Sequence, residues 1–509
     1  MIKNIITAFD HISQKYPNNF AYDYLGEQAT YSELRKKADT LAAHLLKMDL
    51  PDKAPVMVYG GQTLDMVVAF LALVKSGHAY IPVDDHSSED RLLMIQDVAQ
   101  PPLVIAVDDL PVALENIDVL DKNQLQTIYQ IKQPVATTNY VGPDDNFYII
   151  FTSGTTGKPK GVQISHRNLL SFVNWQLADF YFPKGANVLA QAPYSFDLSV
   201  MGLYPTLVTG GTLKVLPKDV TENFKALFTT LPKMDLNIWI STPSLVEICL
   251  LSPDFNCENY PNLVTFLFCG EELSHKTAAN LKKRFAKAHI YNTYGPTETT
   301  VAVTGVEITP EILARYDRLP IGYVKSDTDI WIDTTDVDGA TADQKQGEII
   351  ISGPSVSKGY LNLPEKTHEV FQQSGAWPSY ASGDLGYFND AGLLFYRGRK
   401  DFQIKFNGYR IELEELNFFL KQQELVDQGA IVPRYNAGHK VTQLIALVVP
   451  RQKSSVDETA LTEQIKGDLA LHIMPYMMPQ RFVFRTELPL SANGKVDIKS
   501  LIQEVNAGD

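Results

Sequence analysis

Short apolar runs alternate with amphipathic segments over the first two-thirds of this 509-residue chain, and nothing else constrains its fold as strongly. Residues 56–59, 104–107, 148–151, 187–191, 212–216, 238–240 and 264–269 read as strands. Residues 64–74, 166–177, 244–251 and 275–288 carry the helical period between them. Alternation on this scale predicts an α/β fold, with parallel sheets covered by helices. Ser165 stands where a cap belongs, and Thr242 before Pro243 has the pattern of a cap followed by proline at the first helical position.

From about Asp329 the texture changes. Residues 329–333, 347–351 and 393–396 are short strands among Gly, Asp and Pro, which predicts a small antiparallel or barrel-like β unit. After Asp401 a compact α+β pattern begins: helices at 412–422 and 458–472, strands at 430–433, 441–449 and 481–484. The expected domains are therefore a large N-terminal one, 1–400, and a small C-terminal one, 401–509.

Composition removes several functions. Lys plus Arg total 45 and Asp plus Glu 59, a net charge of −14. Such a surface is ill suited to phosphate backbones or anionic lipid, so no nucleic-acid partner is expected. The longest apolar run, residues 66–74, is far shorter than the about 20 residues a bilayer needs, so no membrane insertion is expected. Ile2, Ile5, Ile6, Phe9 and Ile12 recur at helical spacing rather than as a signal peptide. Cys249, Cys257 and Cys269 form no CxxC clamp, which points to a reducing, cytoplasmic setting without disulfides.

The most informative stretch is Thr152-Ser153-Gly154-Thr155-Thr156-Gly157-Lys158-Pro159-Lys160-Gly161, directly after an apolar strand. Glycines let backbone N–H groups converge on an anion, and hydroxyls and lysines add donors and charge. It is not a Walker A loop: Thr152 and Pro159 stand where that motif needs Gly and Ser or Thr. Taken alone, the stretch also suits a surface hairpin.

It does not stand alone. Asn292-Thr293-Tyr294-Gly295-Pro296-Thr297-Glu298 follows a strand end, Ser382-Gly383-Asp384-Leu385 reads as a turn, and Gly398-Arg399-Lys400-Asp401 and Asn493-Gly494-Lys495-Val496-Asp497 come after. In this ordered set the chain resembles the adenylate-forming superfamily of acyl- and aryl-CoA synthetases, luciferases and adenylation domains. The resemblance implies a carboxylate attacking the α-phosphorus of ATP, then a thiol displacing AMP.

It also implies roles. Thr152 through Lys158 would hold the β- and γ-phosphates, and Asn292, Thr293, Tyr294, Gly295, Pro296 and Thr297 the adenine and α-phosphate side. Glu298 would bind Mg2+, a hard cation suited to carboxylate oxygen. Asp384 would take both ribose hydroxyls, with Tyr396, Arg397, Gly398 and Arg399 beside it. Lys495 would be catalytic, bridging substrate carboxylate and α-phosphate, and Asp401 the hinge of a mobile C-terminal domain.

Tyr194-Ser195-Phe196-Asp197 narrows the substrate. A carboxylate there calls for a cationic group, as in amino-acid-activating members, and disfavours an acyl-CoA synthetase. A helix cap is the alternative reading of Asp197. Phe268-Cys269-Gly270-Glu271 resembles the branch that activates D-alanine, where Cys269 lines a small pocket near Val301. That branch implies D-alanine as substrate and a separate phosphopantetheinylated D-alanyl carrier protein as acceptor, feeding lipoteichoic acid D-alanylation. Another small amino acid is the alternative. The chain continues only 509 − 495 = 14 residues past Lys495, which fits an acceptor on another molecule.

Overall fold

Ile238–Ser241, Thr265–Phe268 and His289–Tyr294 pair in parallel and carry the middle of a nine-stranded sheet. The parallel run continues through Asn187–Ala190, Thr212–Val215 and Phe20–Tyr24. Antiparallel strands close its edges, Glu27–Thr30 on one side and Thr304–Glu307 with Tyr323–Val324 on the other. A six-stranded sheet runs Asp118–Leu120, Leu103–Ala106, Val56–Tyr59, Tyr80–Val83, Asn146–Thr152, Lys160–Ser165. Every residue of Val56–Tyr59, Tyr80–Val83 and Leu103–Ala106 is buried, as in strands covered on both faces.

The structure, a computed structural model, describes residues 1–131, 139–154, 158–335, 346–436, 440–451, 457–490 and 496–507. The chain divides into two units. The first comprises residues 1–85, 99–151 and 161–400, and the second 86–98, 152–160 and 401–509.

Helix Leu64–Lys75 of the first unit is buried from Met66 to its end, including Lys75. Its ammonium is held by Asp10 at 2.6 Å and Asp39 at 2.5 Å, the pairing a buried charge requires. Ser165 begins helix His166–Asp179 with a reciprocal capping box to Asn168. Thr242 behaves differently from the sequence expectation. It precedes Pro243–Cys249, yet its side chain makes no capping bond. The carboxylate of Glu271 accepts instead, from the Ser244 N–H at 3.1 Å and hydroxyl at 2.5 Å, a negative group at a helix start.

The β unit of the first body is a five-stranded antiparallel sheet: Asp329–Asp333, Gly347–Ser352, Trp377–Phe388 and Phe371–Ser374, with Leu394–Arg399 on Trp377–Phe388. Ser382–Leu385 is not a turn between strands but lies inside Trp377–Phe388. Ala381 pairs with Ile350 and Leu385 with Glu348, so three residues face one and Gly383 takes φ +71°. The turn-like sequence is a bulge.

In the second unit Gln403–Phe406 and Tyr409–Glu412 form a hairpin across Asn407-Gly408, both at positive φ, the pairing a tight two-residue turn demands. Val426–Tyr435 runs antiparallel to Val441–Pro450, which pairs in parallel with Arg481–Phe484. Helices Leu413–Gln422 and Glu458–His472 bury Leu416, Leu420, Ile465 and Leu469 against it. Among the described residues no helix is long and apolar enough to cross a membrane.

Candidate active site

Asp384 projects from the bulge and is 2% exposed. Strand register sets Arg399 directly opposite it, and the guanidinium donates to Oδ1 at 2.8 Å. Tyr294, at the end of its strand, donates its hydroxyl to Oδ2 at 2.6 Å. Ser382 accepts the Asp384 N–H and donates to the Ile349 carbonyl, which pins the bulge. Burial, reinforced by the Asp384 charge, pushes the Tyr294 phenol far above its usual range. Tyr396 lies 6.5 Å from Tyr294 ring to ring, with Arg318 over its face and Glu272 holding Arg318 through two bonds. Arg397 is not brought to this cluster. A second bulge, between the Leu385–Gly398 and Gly386–Tyr396 pairs, leaves it out of the ladder, and it lies exposed over the Tyr387 ring.

Asn292 and Thr293 spend side-chain donors on backbone, on the Pro320 and Phe268 carbonyls at 2.8 Å each. At Gly295 a Cβ would fall 2.6 Å from Ala302 Cα, so only glycine lets residues 301–302 pass this closely. The intervening turn is strained: Thr300 and Val301, both β-branched, take φ +64° and +69°. Thr300 Oγ1 donates to the Ser355 carbonyl at 2.7 Å and helps hold it there. Glu298, in the single 3-10 turn Thr297–Thr299, is fully buried and accepts from the Tyr360 hydroxyl at 2.8 Å.

The strained turn also delivers Val301 to Cys269, whose Sγ is 3.6 Å from the Val301 carbonyl oxygen; both side chains are buried. Asp197 stands at the head of helix Leu198–Thr209, but its side chain makes no capping bond, so the cap reading does not hold. Its charge is felt by the buried Tyr148.

The described part of the glycine loop belongs to the second unit. A Cβ on Gly154 would sit 2.0 Å from the Lys158 carbonyl oxygen, so the loop closes on itself at a glycine. Ser153 donates to the Arg410 carbonyl at 3.1 Å, and Lys160 lies 3.7 Å from Glu412. Burial pushes Glu415 up to about 7, against the pull of Arg91 at 3.6 Å. Lys158 pairs with Asp97 in the open, a contact of little worth. Asp401 opens the C-terminal segment and accepts from the Gln403 N–H. Thr155, Thr156, Gly157 and Lys495 lie outside the described residues.

Residues 9–361 match the AMP-binding enzyme family, and residues 417–495 match the AMP-binding enzyme C-terminal domain. The chain belongs to the AMP-binding enzyme family. The D-alanine--D-alanyl carrier protein ligase of Lactiplantibacillus plantarum is 56% identical over 508 residues, 99% of this chain and 100% of that protein. The ligase of the same name from Streptococcus agalactiae serotype V is 51% identical over 512 residues, with the same coverage. Among solved structures, the Vibrio cholerae adenylation domain AlmE in complex with glycyl-adenosine-5'-phosphate superposes with a TM-score of 0.83. That pair shares 23% identity over 99% of this chain and 98% of AlmE, a likeness that shows the fold.

AMP-binding enzymes of this adenylate-forming superfamily use ATP. For this member, sequence reasoning missed Tyr360 altogether, and the partner roles of Ser382 and Glu271, the groups that hold Glu298, Asp384 and the Pro243–Cys249 helix. Tyr360 and Glu271 meet their partners 62 and 27 residues away through packing, whereas Ser382 acts locally, two residues from Asp384.

Proposed function

We propose that this enzyme activates D-alanine with ATP and transfers it to a separate phosphopantetheinylated D-alanyl carrier protein in the cytoplasm, feeding lipoteichoic acid D-alanylation. The observation that carries the reading is full-length identity of 51–56% to ligases of that name. A D-alanine carboxylate oxygen attacks the α-phosphorus, the α–β anhydride bond breaks, and pyrophosphate leaves. The carrier thiolate then attacks the acyl carbon of the adenylate, the thioester forms, and AMP leaves with the bonding pair.

Asp384 retains lone pairs beyond those used by Tyr294 and Arg399, and these suit two ribose hydroxyls. The glycine loop would take the β- and γ-phosphates, and the Asn292–Thr297 stretch the adenine and α-phosphate side. Lys495 would carry charge to the α-phosphate as negative charge builds in the transition state. Glu298, fully buried and bonded by the Tyr360 hydroxyl, offers carboxylate oxygen, the ligand type that suits Mg2+. Bound there, Mg2+ would neutralise phosphate charge. Asp197 would hold the ammonium, and Cys269 and Val301 would limit side-chain size. Domains 1–400 and 401–509 would reorient about Asp401 between the two half-reactions.

The test is ATP–pyrophosphate exchange across D- and L-alanine, glycine, D- and L-serine and acetate, followed by loading of a phosphopantetheinylated carrier. Exchange strongest with D-alanine is expected. Preference for an L-amino acid would retain the chemistry and overturn the substrate; exchange with acetate alone would overturn the amino-acid reading.

A further inference from the structure

Glu298 lies in the single 3-10 turn Thr297–Thr299, and the strained Thr300 and Val301 follow it directly. So short an element has no neighbouring helical turn to pack a side chain against, and the direction of the carboxylate has to be fixed from elsewhere. Residues 357–361 fix it. The Ser357 N–H donates to the Glu298 carbonyl at 2.8 Å, and the Tyr360 hydroxyl donates to its Oε1, also at 2.8 Å. Main chain and side chain of Glu298 are thus held from one segment.

That segment is itself firmly mounted. Tyr360 bridges Val162 in antiparallel register. The Lys358 N–H donates to the Gln163 carbonyl at 3.1 Å, the Gln163 N–H to the Gly359 carbonyl at 3.0 Å, and the Leu361 N–H to the Gly161 carbonyl at 2.8 Å. Gly161 ends the glycine-rich stretch in sequence, so the strand leaving that stretch and the Glu298 turn share one support. The Tyr360 N–H donates to Thr367 Oγ1 at 2.9 Å, on helix Pro364–Val370, and its ring meets Phe371 edge-on at 5.6 Å. Tyr360 is 5% exposed, and packing of that density leaves its hydroxyl little freedom to point away from Glu298.

We propose that Tyr360 is the positioning residue of Glu298, its hydroxyl aiming the carboxylate for Mg2+-bound nucleotide, with residues 357–361 as its mount. The inference rests on the Mg2+ role proposed above for Glu298. A carboxylate has about four lone-pair sites, so a phenol donor and a cation can share it. Mg2+ accepts only near-ideal octahedral geometry, so the direction of a ligand counts as well as its charge. Tyr360 acts through Glu298 and has no part in bond making.

The experiment titrates α,β-methylene-ATP, which cannot release pyrophosphate, into the full chain by calorimetry, once with excess EDTA and once with excess Mg2+. The ratio of the two affinities is the contribution of the metal. Each variant supplies its own reference, so a modest loss of stability leaves the ratio readable. Tyr360→Phe keeps the ring and its contacts; it should cut the ratio about tenfold, with metal-free affinity within about twofold of wild type. Glu298→Gln should cut the ratio at least as far. Tyr360→Phe added to Glu298→Gln should then change little, because the hydroxyl acts through the carboxylate. An unchanged ratio in Tyr360→Phe beside a reduced one in Glu298→Gln overturns the positioning role alone. An unchanged ratio in both overturns the Mg2+ role of Glu298 and this inference with it. Equal losses of metal-free and Mg2+-loaded affinity in Tyr360→Phe would make the hydroxyl merely structural and overturn the proposal as well.

Discussion

The buried carboxylates of the two units live under opposite electrostatic conditions. In the first, Asp384 has a guanidinium on one oxygen and a phenol on the other, so burial strengthens bonds already made. In the second, Glu415 is buried with the Arg91 guanidinium 3.6 Å away, and burial wins: the carboxyl is pushed up to about 7. Depth alone does not decide the fate of a charge. The placement of donors does, and in the first unit strand register places them.

The largest expected effect comes from breaking the satisfied arrangement. Asp384→Ala removes the carboxylate that the Arg399 guanidinium, its side chain 10% exposed, holds at 2.8 Å. Breaking such a pair costs about 3–5 kcal/mol, to be read by urea unfolding followed through tryptophan fluorescence. All four tryptophans, Trp175, Trp239, Trp331 and Trp377, lie in the first unit, so that signal reports on it selectively. Under the proposed function the ATP KM rises as well, while Asp384→Asn recovers part of both losses.

Next in size is Lys495→Ala. Losing a charge aimed at the transition state predicts a fall of about a hundredfold or more in adenylate formation. Thioester transfer from supplied adenylate should be largely retained. Equal loss of both half-reactions would remove Lys495 from the adenylation step.

These residues also show what could be read in advance. Three spans, Val56–Tyr59, Glu458–His472 and Arg481–Phe484, form where the sequence places them. Trp377–Phe388 escaped because Ser382-Gly383-Asp384 has turn chemistry, and a bulge uses the same chemistry inside a strand. Asp384 and Glu298 stand out in sequence because their motifs are local. Tyr294, 90 residues from Asp384, and Tyr360, 62 from Glu298, become partners only once the sheets are built. Arg397 is the converse: adjacent in sequence to Tyr396, it is taken out of the cluster by one bulged residue.

The pH dependence of the two units should run in opposite directions. Glu415 releases its proton near pH 4.5 when unfolded and near 7 when folded, so the folded state binds more protons in between. Its contribution is fully present below pH 4.5 and is lost as pH rises to 7, by about 3 kcal/mol. Glu415→Gln should flatten that loss, seen as hydrogen-exchange protection of strand Val441–Pro450. His166 is the mirror case. Burial lowers it from 6.5 to about 4, and its neutral Nε2 accepts the Ile5 N–H at 3.0 Å. Here the unfolded chain binds the extra proton, so stability present above pH 6.5 is lost by about 3 kcal/mol as pH falls to 4. Tryptophan fluorescence should follow that acid loss while strand Val441–Pro450 stays protected.

The smallest effect separates a capping bond from this titration. Ser165 caps the helix that begins at His166, accepting the Asn168 N–H at 3.2 Å, while Asn168 accepts the Ser165 N–H at 2.7 Å. Ser165→Ala removes one of these two bonds and leaves the other, so the cost should be about 1 kcal/mol. The bond involves no titrating group, so the loss should be equal at pH 7 and pH 5. If the variant instead moves the acid transition seen by tryptophan fluorescence, the cap and His166 are coupled. The acid sensitivity would then belong to the helix start as a whole rather than to the burial of one imidazole.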